Sequence, residues 1–347
     1  MKKLIFVILC TACPIILQAQ RDSASVTFLP AAGIYLLQYS VAGATYVDTL
    51  IPATKIDPEV RCQMKPIQDS GNYSYSYRLA LSSSSQQYLL SFRLFYSSYI
   101  WDVQKPSSRW DVFNTPSQGS IDWSNTNIDP SGLHVERTDI GPGDSMTGFS
   151  FSSRGLPIII NSYLQGNAPG LAFTGDPPAE MSVLLDSILV FPNNSVVRQT
   201  IGPKDPMMSL MPVTFLDTLL SYTRQSADLG WLGRERDNDC DDDERPDDGV
   251  VKNIEKRLEK AKRYLERDDS VKARRELVKL VQKVQRIWKR SQDQEKKRGR
   301  GKEWRQDKCL MTSEAYALLK YNTEYVIDHL PEKERPEPRK PKKRERD

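Results

Sequence analysis

Side chains that hold a metal, move a proton or attack as nucleophiles are scarce in this chain. It has two His, His134 and His329, so a His-rich metal centre cannot be built from them. Gly143-Asp144-Ser145 has the residue types of an esterase nucleophile turn, yet it lies in a Pro-Gly turn and no Asp-x-x-His follows it. Asp328 and His329 are adjacent, and Gly-x-Ser-x-Gly is absent. Paired carboxylates for glycoside hydrolysis need no fixed spacing, and nothing singles out a pair. Asp237, Asp239, Asp241 and Asp243 alternate, which can bring oxygens around a hard cation such as calcium. An EF-hand loop over this run needs Gly at its sixth position and Glu at its twelfth. The chain has Asp242 and Asp248 there, so a solvated acidic linker is the preferred reading.

Cysteines and aromatics supply the other candidates. The N-terminal residues 1–19 read as a secretory signal: a basic Met1-Lys2-Lys3 head, an apolar middle and a small Ala19 before the cut. A lipoprotein signal acylated on Cys13 is the alternative, with Cys10 where a Leu-like residue is usual. The apolar run falls short of the roughly 20 residues of a membrane span, and no second run follows. Cleavage leaves Cys62, Cys240 and Cys309 in a compartment where disulfides persist. Cys240 precedes the first predicted C-terminal helix and Cys309 the third, at one end of an up-down-up bundle. A Cys240–Cys309 bridge is therefore expected, contributing roughly 4 kcal/mol, with Cys62 left over as a buried apolar residue. Three reduced thiols are the alternative. Tyr73, Tyr75 and Tyr77 alternate on what reads as a core face. Trp101, Trp110 and Trp123 have polar neighbours, so they are the candidates for an exposed, ligand-stacking role; core filling is the alternative.

These residues need elements to hold them. Between residues 20 and 202 the apolar period is two. Tyr73 to Leu81 and Tyr88 to Tyr96 alternate about a serine-rich turn at 82–85, as in a hairpin. Further short strands fit residues 34–41, 121–123, 133–136, 146–152, 158–164 and 188–191. The expected fold is an antiparallel β-sandwich of immunoglobulin-like type, with a barrel as the alternative. Residues 203–248 read as a helical junction and acidic linker. Residues 249–330 read as an all-α three-helix antiparallel bundle, with stripes at Ile254, Leu258, Ala261 and Leu265, at Ala273 through Ile287, and at Ala315 through Leu330. Asp269 or Ser270 caps the second helix, Thr312 or Ser313 opens the third, and Pro331 stops it. Residues 331–347 are too polar to fold alone and read as a disordered basic tail.

Charge divides the same way. Residues 250–347 hold 31 Lys and Arg against 18 Asp and Glu, whereas the rest holds 18 against 27. A basic C-terminal part implies attraction to a polyanion: acidic polysaccharide, an envelope surface or lipopolysaccharide phosphates. Solvated helix faces, with Glu259–Arg263 and Lys272–Glu276 tempering the field, are the bland alternative. Nucleic acid is disfavoured as the dedicated partner because no recognition motif appears.

Two stretches carry a resemblance. The run from Ile254 to Leu265, then "ERDDSVKARREL" and "LLKYNTEYVIDHL", resembles the FIMAH-type three-helix module of bacterial exported proteins. The chain departs from that pattern at Asp268-Asp269, where Gly is usual, at Val326-Ile327, and in a basic insertion before the third helix. Pro142-Gly143-x-Ser145, Gly148-Phe149-x-Phe151 and Gly155-Leu156-Pro157 are similar to a pattern of uncharacterised exported β-domains. The resemblance implies an extracytoplasmic accessory module and carries over no catalytic residue. The expected protein is thus an exported, non-enzymatic binding or interaction protein without a cofactor, its protein partners unidentified. A glycan-active enzyme in the β-domain and a structural envelope component are the alternatives.

Overall fold

A computed structural model of the chain describes residues 23–68, 70–125, 140–206, 211–233, 249–298 and 310–331, the side chains of 294–298 excepted. The signal segment, His134, the strand expected at 133–136, the Asp237–Asp243 run, Cys240, Cys309 and the tail lie outside the described residues. The described chain forms two compact units: residues up to Pro52 with Ala168–Asn194, and Ala53–Asn167 with the residues from Ser195 onward.

In the first unit, β1 (Ser23–Leu29), β2 (Ile34–Val41) and β3 (Ala44–Leu50) form an antiparallel meander. The two-residue turn Ala42-Gly43 has positive φ at both positions, 49° and 86°, the combination that matches strand twist in tight hairpins. Helix α1 (Ala179–Leu189) buries Met181 and Leu185 against Leu37, Tyr39 and Leu50. The strand expected at 188–191 is corrected to the end of this helix and the turn after it. Its apolar residues belong to a stripe spaced 181, 185 and 188, a helical period.

The second unit contains β4 (Pro58–Ile67), β5 (Asn72–Leu81), β6 (Leu89–Phe95), β7 (Ile100–Gln104), β8 (Trp110–Thr115), β9 (Ser120–Asn125), β10 (Ser145–Ser153), β11 (Leu156–Gly166) and β12 (Val196–Lys204). They make a four-stranded sheet in the order β4-β5-β10-β7 and a five-stranded sheet in the order β12-β11-β6-β9-β8. The expected hairpin between β5 and β6 does not form. The serine turn carries the chain from one sheet to the other, so the two aromatic faces meet across the core rather than side by side. Tyr77 lies 5.6 Å from Phe92 and 6.3 Å from Trp123, and Phe151 lies 6.3 Å from Trp123, between ring centroids.

Among the described residues, four α-helices complete this unit: α2 (Pro212–Asp228), α3 (Gly249–Leu265), α4 (Ser270–Arg298) and α5 (Ser313–His329). The turn after α3 places Asp268 at φ 57°, and Asp269 Oδ1 then accepts the Lys272 N–H at 3.0 Å, capping α4. Thr312 caps α5. α2 packs on α3 and α5, α3 on α4, and α4 on α5, while α5 also packs on β4, β11 and β12.

The expected fold class, an all-β half followed by a separate three-helix bundle, is therefore overturned. Among the described residues there are three sheets and five α-helices, and the C-terminal helices share one continuous core with the two sheets of the second unit. α5 shows why. It buries ten of its residues, among them Glu314, Ala317, Tyr321 and Thr323 outside the expected stripe, because it has neighbours on more than one side. β4 is the outer strand of its sheet, and α5 supplies partners that a neighbouring strand would give. Glu314 Oε1 accepts the Cys62 N–H at 2.6 Å, and the Tyr321 hydroxyl donates to the Met64 carbonyl at 3.3 Å. Asn322 Nδ2 reaches the Pro157 carbonyl on β11 at 2.9 Å.

Candidate binding site

The tryptophans named from sequence part company in the structure. Trp110 and Trp123 are fully buried and their assignment as ligand-stacking residues is corrected. Trp123 stacks on Phe92 at 5.3 Å and donates its indole N–H to the Gln104 carbonyl, and Trp110 meets Phe149 edge-on at 5.0 Å. Their polar neighbours misled because residues i−1 and i+1 in a strand point to the opposite face. Trp101 is partly buried, with the exposed Tyr99 beside it.

Cys62 is free and buried, with its thiol pushed well up by burial, then by the charge of Glu314. Gly143-Asp144-Ser145 serves its own turn: Asp144 Oδ2 accepts the Gly141 N–H at 3.2 Å, and Arg78 Nη2 donates to Ser145 Oγ at 3.0 Å. His329 lies against the Tyr325 ring at 4.2 Å between centroids, its Nδ1 2.8 Å from the Tyr325 carbonyl.

A cleft and a basic helix face compete as ligand sites. The cleft has a volume of about 590 Å³ and is lined by residues of β4, β11, β12 and the end of α2, with Trp231 and Thr312. Its size suits a small ligand. Its cations, however, are already paired: Arg61 with Glu59 at 2.6 Å and Arg198 with Asp57 at 2.9 Å, and Arg198 Nε also donates to the Pro58 carbonyl at 2.8 Å.

The other is the groove between α3 and α4. Lys279, Lys283, Arg286 and Arg290 recur at intervals of four, three and four, so they share one face of α4 and span about 16 Å of it. Facing them from α3 are Arg257 and Lys260. At one end the groove already holds a carboxylate, that of Glu276, which is buried. Lys279 and Lys260 reach its Oε1 at 3.0 and 3.3 Å, and Arg257 reaches its Oε2 at 3.3 Å. Burial raises the Glu276 carboxyl, but the Lys279 and Lys260 hydrogen bonds outweigh it and hold the group below its ordinary value.

The expected pair Lys272–Glu276 is not made, because Lys272 pairs with Asp269 at 2.7 Å. Two turns beyond Glu276, Lys283, Arg286 and Arg290 have no ion pair among the described residues. Lys283 is pushed down by burial and then by repulsion from Arg257 and Arg286. The charge of this region is visible in the sequence, but its placement depends on how the helices pack. The signal was the basic period 279, 283, 286, 290 on the side of an amphipathic helix. No family model matches the chain, and neither a curated protein nor a solved structure does.

Proposed function

We propose that the chain is an exported, non-enzymatic binding protein that holds an acidic polysaccharide or a comparably anionic envelope surface in the α3–α4 groove. One observation carries this reading. Glu276 is seated among Arg257, Lys260 and Lys279, and the same face of α4 continues as Lys283, Arg286 and Arg290, which have no acid paired to them among the described residues. A polymer with repeated carboxylate or sulfate groups would give those cations the partners that Glu276 gives their neighbours. Such contacts between partly exposed charges are individually weak, so affinity would come from several made together along the groove.

The cleft near Trp231 is the lesser candidate for the same ligand, since Glu59 and Asp57 already satisfy its two guanidinium groups. Retention of the full chain on immobilised polygalacturonate and heparin, with and without Lys283→Glu combined with Arg286→Glu, tests the proposal. Loss of retention in the double variant supports the groove. Equal retention refers binding to the other basic segments of the chain and removes the groove from the account.

A further inference from the structure

A second exposed feature has chemistry unlike the groove's. Tyr99 and Trp101, at the start of the outer strand β7, set their rings nearly parallel, 21° apart with centroids at 5.8 Å. Tyr99 remains 66% exposed, so it keeps ring surface open to solvent even beside Trp101. Single exposed apolar side chains are common, so the pairing of two aromatic rings, rather than exposure alone, marks this place as able to meet a ligand.

The backbone beneath the pair is built to hold it. Between Trp101↔Ser152 and Gln104↔Ser150 the two strands fall out of register, with one extra residue on β7. Asp102 within that bulge takes a φ of 49°. The extra residue resets the alternation: Ile100 and Val103 turn to the core, leaving Trp101 on the outer side. Fully buried Ser153 donates from Oγ to the Tyr99 carbonyl at 2.8 Å and accepts the Gly155 N–H at 3.1 Å. A side chain at Gly155 would run into Ser98 at 2.7 Å, so the glycine of the Gly-Leu-Pro motif makes room for this packing. Ser98 Oγ donates to Asp205 Oδ1 at 2.6 Å, and Arg154 Nε approaches the same oxygen at 3.3 Å. The Asp205 N–H closes back onto the Ser97 carbonyl at 3.1 Å. Asp205 Oδ2 has no partner among the described residues, and neither do the terminal nitrogens of Arg154.

We infer that Tyr99 and Trp101 form a stacking platform for a pyranose ring, and that Asp205 Oδ2 and the Arg154 guanidinium bind its hydroxyls. A carboxylate beside a guanidinium matches a pair of adjacent hydroxyls, accepting from one and donating to the other. The open aromatic surface matches the flat C–H face of a sugar with equatorial substituents. The ligand class is therefore a β-linked, gluco-configured oligosaccharide. This site uses ring stacking and neutral hydroxyls, so its binding persists in salt that abolishes binding in the α3–α4 groove.

The test is calorimetric titration of the full chain at high salt with cellohexaose and with chitohexaose, with adenosine monophosphate as a planar-ring control. Saturable binding of either oligosaccharide, weakened about tenfold by Trp101→Ala and largely restored by Trp101→Phe, is the expected result. A parallel melt of Trp101→Ala within the error of the parent shows that the loss is not unfolding. An Asp205→Asn variant, which keeps an acceptor for Ser98, weakens binding less than Trp101→Ala does. Absence of binding to both oligosaccharides, binding indifferent to Trp101→Ala, or binding of the nucleotide alone overturns the inference. Failure of the groove variants on polyanion columns leaves this result untouched, so the two readings fail separately.

Discussion

Replacing Glu314 tests whether the sheets and helices of the second unit are one cooperative structure. The carboxylate is fully buried at the start of α5, accepts the Cys62 N–H of β4 at 2.6 Å, and lies 3.2 Å from the Ser313 hydroxyl. Glu314→Ala leaves that backbone N–H buried without a partner, a loss of about 1–3 kcal/mol. It also removes a negative charge from a helix N-terminus, worth about 0.5 kcal/mol. Release of the buried carboxylate from its desolvation returns part of this, so a net loss of about 2 kcal/mol is expected. Glu314→Gln keeps an acceptor in place and should lose about half as much. Urea unfolding followed by far-ultraviolet circular dichroism and by near-ultraviolet signals of the aromatic core reads both parts of the unit. Both transitions should move together, since α5 belongs to both. A shift below about 0.5 kcal/mol for Glu314→Ala, or a helical transition that moves while the aromatic one stays, would refute the reasoning.

Three further outcomes follow from the same contacts. Cys62, buried and with its thiol pushed up, should resist alkylation in the native protein and react once urea unfolds it, as mapped by mass spectrometry of its peptide. Glu276, held below the ordinary carboxylate value, contributes stability that is complete above its unfolded value and lost as pH falls through its folded one. Glu276→Gln should therefore flatten the acid limb of the melting-temperature profile below about pH 4.5. Lys283→Gln removes repulsion from Arg257 and Arg286, so it should raise stability by about 0.3–0.5 kcal/mol at low salt while weakening retention on a polyanion. A variant both less stable and equally retained would contradict the assignment of this residue.

The C-terminal helices were legible because their stripes are local. Ile254, Leu258 and Ala261 are buried as their spacing requires, and Asp269 and Thr312 cap the helices they precede. The features that are not local depend on neighbours distant in the chain. α5 reads as a surface helix until Glu314, Tyr321 and Asn322 are seen bonded to strands some 165 to 257 residues away. Alternation located β5 and β6 but could not say which partner each would take, since a hairpin and a crossover between facing sheets share one pattern. The tryptophans were misjudged from their sequence neighbours, which in a strand report on the opposite face. Of the candidate sites, total charge was legible. The α4 positions at which it gathers around a seated carboxylate were not, and the partly buried Trp101 is separated from fully buried Trp110 and Trp123 only by the sheet.

The most direct test of the polyanion reading is the affinity of the full chain for polygalacturonate or heparin across a salt series, beside Lys283→Glu combined with Arg286→Glu. The basic C-terminal tail also contributes charge, so the variant decides the matter rather than the parent. Binding should weaken linearly in log salt, with the double variant weaker at every salt and shallower in slope because fewer counterions are released. A variant with the parent's affinity and the parent's slope would show that the α3–α4 groove does not hold the polymer.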